Sequence, residues 1–86
     1  MTTADGLTVM MRVVTSFHFS KPIQTTLDVE LQAALTAVKQ GKIKLANASL
    51  DVFSGEVKLL TGHGITSSQA TQLLNETAVI KARLKS

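Results

Sequence analysis

Cysteine, tyrosine and tryptophan are absent from this 86-residue chain, and proline occurs once. Without cysteine, neither a disulfide framework nor a thiolate metal site can stiffen a small core. With three phenylalanines as the whole aromatic complement, the platforms on which single-stranded bases stack are missing, as are the usual aromatic anchors of interfaces. No run approaches the roughly 20 apolar residues of a membrane span, and the first residues lack the basic and long apolar stretches of a signal peptide. A soluble, cytoplasmic protein that does not engage membranes is the expectation.

Catalytic signatures are missing too. Six carboxylates are spread along the chain with no zinc or calcium spacing, and no nucleophile-elbow pattern surrounds any Ser or Thr. Gly62-His63-Gly64 lacks the lysine and the spacing of a phosphate-binding loop. A glycine-flanked imidazole could act as a base or bind an anion, but a helix-entry loop explains the same tripeptide. No enzyme, no cofactor and no metal are expected.

What is present is aliphatic. Leu, Val and Ala dominate a composition that is 44% apolar, enough for one small domain around one core. A chain this short buries a smaller fraction of its surface than a larger one, so self-association is expected to supplement the core. The net charge of +3 and pI near 9.6 allow acidic protein or nucleic-acid partners without requiring them.

Residues 1–6 are small and polar, with a turn at Asp5-Gly6, and are expected to be flexible; residues 7–86 form the domain. From Leu7 to Phe19 the odd positions Leu7, Val9, Met11, Val13, Thr15, Phe17 and Phe19 alternate with Thr8, Met10, Arg12, Val14, Ser16 and His18, which predicts a strand. Leu7, Met10, Met11, Val14 and Phe17 also fit a helical period, but the density of β-branched residues favours the strand. Thr25 to Gln40 reads as a helix with Leu27, Leu31, Ala34, Leu35 and Val38 on one stripe, capped by Thr25 and closed by Gly41. Ala33 and Ala37 add a shallow small-residue face.

Lys42 to Ala48 is taken as an extended lead-in, and Ser49 to Leu60 as a hairpin turning at Ser54-Gly55. That register pairs Val52 with Val57, Leu50 with Leu59, and Asp51 with Lys58. A continuous helix through Ile43, Ala46, Leu50, Phe53, Val57 and Leu60 is the competing reading, opposed by Gly55. From Thr66 to Lys85 a second helix is predicted, with Ala70, Leu73, Leu74, Thr77, Ile80 and Leu84 on its apolar stripe and Thr66 and Gln69 as a capping pair.

The predicted fold is therefore α+β: strand, helix, hairpin and helix, with two helices on one face of a small antiparallel sheet. An all-α four-helix arrangement is the alternative. No motif marks a family. The order of helix, basic hairpin and helix from Thr25 onward resembles in outline the small head-to-tail joining proteins of tailed phages, and shared architecture alone implies no function.

Two sites follow from this reading. An unpaired edge of the long first strand, through Val9, Met11, Val13 and Phe17, is expected to pair with a second copy, making the chain a self-associating interaction or assembly protein. Lys39, Lys42, Lys44, Lys81, Arg83 and Lys85 cluster at helix ends and could form one anion or nucleic-acid patch. They equally suit the negative ends of helix dipoles. The corresponding alternative function is a nucleic-acid-binding accessory protein.

Overall fold

Leu7, Met10 and Val14 are almost completely buried, and their spacing of three and four residues belongs to a helix. The computed structural model describes residues 3–85. They form α1 (Thr3–Ser16), α2 (Lys21–Lys39), α3 (Ile43–Leu60) and α4 (Ser67–Lys85). Among the described residues there is no sheet; an isolated bridge joins Thr61 to Ile65 within the turn between α3 and α4. The α+β prediction is thus overturned in favour of the all-α alternative, and with no hairpin the outline resemblance to phage joining proteins lapses.

The expected strand from Leu7 to Phe19 is α1 and the turn after it. Local β propensity favoured extended backbone, but most helical stability comes from packing an amphipathic face, and the residues that pack are on a 3.6-residue period. Val9, central to the predicted strand face, is exposed. The β-hydroxyl residues are accommodated as well: Thr8 and Thr15 donate to the carbonyls of Ala4 and Met11, and Ser16 to that of Val13. Asp5 and Gly6, read as a turn, lie inside α1, where Gly6 approaches Ile80 of α4. Residues 1 and 2, part of the stretch expected to be flexible, lie outside the described residues.

Residues 43–60 form one helix rather than an extended lead-in and hairpin. Ala46, Leu50, Phe53 and Val57 are buried along it. Both apolar cross-strand pairs are split between core and solvent: Val57 is buried while Val52 is 48% exposed, and Leu50 is buried while Leu59 is 77% exposed. A Gly in mid-helix costs about 1 kcal/mol relative to Ala, less than the burial of Phe53 alone returns. A Cβ at Gly55 would meet nothing within 4 Å. Gly55→Ala is therefore expected to stabilise the fold by about 1 kcal/mol, read as a higher urea midpoint; a clear loss of stability would mean that residue 55 is not helical.

The other two helices follow their predicted stripes. In α2, Leu27, Leu31, Ala34 and Leu35 are buried with Val38 half-buried; Ala37 is also buried, whereas Ala33 is exposed. The helix starts a turn earlier than expected, with Pro22 in its first turn where no N–H is needed, so Thr25 lies inside it rather than capping it. Its end is a Schellman motif. Gly41 takes φ of 73°, its N–H donates to Val38 O at 3.1 Å, and that of Lys42 to Ala37 O at 2.8 Å. At the start of α4 the capping pair forms as predicted: Gln69 N–H donates to Thr66 Oγ1 at 3.1 Å, and Thr66 N–H to Gln69 Oε1 at 2.9 Å.

Short connections fold successive helices antiparallel into a ring, α1 on α2, α2 on α3, α3 on α4 and α4 back on α1. The α2–α3 contact is the most extensive and the α1–α4 seam the least. All four helices contribute to one core, with Phe17, Phe19 and Ile23 packed at its edge. Among the described residues no helix is long and apolar enough to cross a membrane.

Candidate interaction surfaces

The antiparallel ring brings the end of α2, the start of α3 and the end of α4 to the same end of the bundle. Lys39, Lys42 and Lys44 lie at that end, and Lys81 and Arg83 are in the last turns of α4, which run toward it. Lys85 ends α4, and its side chain lies outside the described residues. The cations are not equivalent. Lys39, Lys42 and Lys44 are exposed, whereas Lys81 pairs with Asp51 across the α3–α4 groove and the Arg83 guanidinium lies by Gly6 on α1. The free positive charge sits on the α2–α3 side of the pole.

The four residues assigned to a strand edge do not share an exposed face. Met11, Val13 and Phe17 are half-buried against the core, and Phe17 meets Phe19 with ring centroids 5.5 Å apart. Val9 alone of the four is exposed. Pairing with a second copy through that edge is removed along with the strand.

His63 sits at the tip of the turn between α3 and α4. Its N–H donates to Leu60 O at 2.8 Å, Ile65 N–H to the same carbonyl at 3.2 Å, and Gly62 N–H to Ile65 O at 2.8 Å. Gly62 and Gly64 hold φ of 84° and 120°. These bonds account for the tripeptide as a helix connection. His18, at φ of 55°, is exposed where α1 turns into α2. Among the described residues no three His, Asp or Glu side chains converge as metal ligands would.

Two carboxyls are shifted. Burial, and then the neighbouring Glu30 carboxylate, push Glu56 above the usual glutamate range. Burial alone raises Glu76, whose Oε2 has no hydrogen-bond partner. Glu76 lines a shallow cleft between α1 and α4 with Val9, Val79, Asn75 and Arg83. Thr26 lines the same groove as Glu56, and Ser67, Ser68 and Thr71 line a second groove with Glu76.

The surface that sequence reasoning missed is on α3. Leu45, Val52 and Leu59 are 54, 48 and 77% exposed, seven residues apart, and Ala48 and Gly55 stand between them. This 3,4 spacing is that of a coiled-coil seam, and it faces solvent. Asp51 and Lys58 border it on the α4 side, in a groove shared with Leu74, Ala78 and Lys81. Glu56 borders it on the α2 side, near Pro22 and Thr26. The pattern is legible in the sequence once 43–60 is one helix; a turn at Ser54-Gly55 cuts it in two.

No protein-family model matches this chain, and no curated protein or solved structure is significantly similar to it.

Proposed function

We propose that this chain is a small non-enzymatic interaction protein that self-associates in the cytoplasm. The observation that carries this is the exposed seam on α3, three large aliphatic side chains in line on one helix while that helix's other face is fully used by the core. Single exposed aliphatics are ordinary on protein surfaces, but a heptad-spaced row is the pattern by which helices pair. Over the 18 residues of α3, at about 1.5 Å per residue, the row runs most of about 27 Å. A weak, concentration-dependent interface suits that size. Sedimentation of the purified chain is expected to show a mass that rises between about 1 μM and 1 mM, a span that covers weak association. A monomer throughout would overturn the proposal.

A second reading, a nucleic-acid-binding accessory protein, draws support from the basic pole, where Lys39, Lys42 and Lys44 stand exposed together. Against it stand the lack of an aromatic platform and the use of Lys81 in an ion pair. A genuine patch would bind duplex DNA with a log–log salt slope of about −0.9 per phosphate contacted. Undetectable binding at low salt is the expected result and would retire this reading.

A further inference from the structure

The α3 seam has a size and charge pattern that selects its own occupant. Its large residues, Val52 and Leu59, alternate with small ones, Ala48 and Gly55, so a helix laid against it must offer large side chains opposite small and small opposite large. The same helix run in the opposite direction does this. With two α3 helices antiparallel about a twofold axis, Val52 of each stands over Gly55 of the other, and Leu59 of each over Ala48 of the other. Twofold symmetry makes both contacts occur twice.

We propose that the seam is filled by a second copy of this chain in that antiparallel register. Self-association, as proposed above, is the premise; face, direction and register are the addition. In an antiparallel pair, the positions bordering the seam on one side meet their own kind across it. Here Asp51 meets Lys58 of the second copy, and Lys58 meets Asp51. Lys81 already engages Asp51 through Oδ1, and the Asp51 side chain remains 61% exposed, leaving Oδ2 open to the second ammonium.

The same charges oppose the alternatives. Sliding the second copy by one heptad toward the start of α3 sets Asp51 against Asp51 and Lys44 against Lys58, and it leaves Leu59 without a neighbour on the opposing helix where the proposed register leaves Leu45, the less exposed of the two. A parallel pair sets Asp51 against Glu56 and Gly55 against Gly55, which combines like charges with a gap in the seam. Among these three pairings, only the proposed one joins opposite charges and fills both small positions.

The absence of cysteine makes a direct test clean. Equal amounts of full-length Ala48→Cys and Leu59→Cys chains are mixed and mildly oxidised, and the three disulfide products are separated by mass. The mixed 48–59 product, half of the total at random, is expected to outweigh the two self-linked products together several-fold. Random proportions, or a majority of self-linked product, would overturn the register. In sedimentation, Lys58→Asp is expected to weaken the dimer roughly tenfold, since two attractive pairs become repulsive, and the double variant Asp51→Lys, Lys58→Asp to recover most of that loss. A dimer indifferent to both variants would overturn the α3 pairing and leave self-association standing. A chain monomeric at every concentration would remove both.

Discussion

Phe53→Ala is expected to leave most of the chain unfolded or close to it at 25 °C. Phe53 is the largest side chain with no solvent exposure, and it comes from α3, which packs on both α2 and α4. Truncating a buried Phe costs about 3–5 kcal/mol, because the transfer energy of the ring is lost and the cavity collapses only in part. A domain of this size has on the order of 5–10 kcal/mol in total. No disulfide stands behind the core to absorb the loss. Helical circular dichroism at 25 °C, followed through urea, should show a much lower midpoint and a reduced starting signal. Phe53→Leu, closer in volume, should cost about 1 kcal/mol and stay folded. A loss below about 1 kcal/mol for the alanine variant would contradict the burial, since Phe53 would then border a surface turn, as a hairpin places it.

Half of the helices were legible in the sequence, for reasons that can be named. In α2 the stripe agrees with the stop signal, Leu27, Leu31 and Leu35 with Gly41 behind them, and in α4 with the start signal, Leu73, Thr77 and Ile80 behind the Thr66–Gln69 pair. In α1 and α3 two periods fit the same residues, and local propensity chose the wrong one. Thr, Val and Phe in residues 7–19 favour extended backbone taken one at a time. What decides is which set can be buried together, and Leu7, Met10 and Val14 are that set. In α3 the pairs Val52 with Val57 and Leu50 with Leu59 fitted a hairpin well, and no single-residue preference reveals that each pair has one member in the core and one in solvent. Only the position of α2 and α4 on either side of α3 settles it.

The candidate surfaces divide in the same way. The lysines at the ends of α2 and α4 were visible because helix ends are marked by capping chemistry, and an antiparallel ring gathers alternate ends at one pole. The α3 seam was invisible because its five positions were divided among the presumed lead-in, the two hairpin arms and the turn between them. Self-association survives as a proposal on a different footing. An unpaired strand edge offers backbone groups and little choice of partner; a helical seam offers side chains, whose sizes and charges specify a direction and a register.

The turn between α3 and α4 yields the other large effect, and there two causes can be separated. Gly64→Ala is expected to destabilise the fold by about 1–3 kcal/mol, the usual range for a residue held in sparsely populated backbone. Its φ of 120° is one that side-chain-bearing L residues rarely adopt. A Cβ there would also overlap Ile23 Cδ1 at the start of α2, with Cγ1 at an ordinary 3.8 Å. Cδ1 is the far end of a flexible side chain on a half-buried residue, so a change of rotamer relieves the overlap for about 1 kcal/mol or less. The backbone has no such escape, because Gly62 N–H donates to Ile65 O and Ile65 N–H to Leu60 O, fixing the chain on both sides of Gly64. Backbone strain should therefore dominate. Ile23→Val, which deletes only Cδ1, makes the distinction in a double-mutant cycle. Most of the Gly64→Ala loss should persist in the Ile23→Val background, with faster amide exchange at Gly62 and Ile65. If the loss instead disappears there, the close approach of α2 to the turn, and not the backbone at residue 64, is what requires glycine.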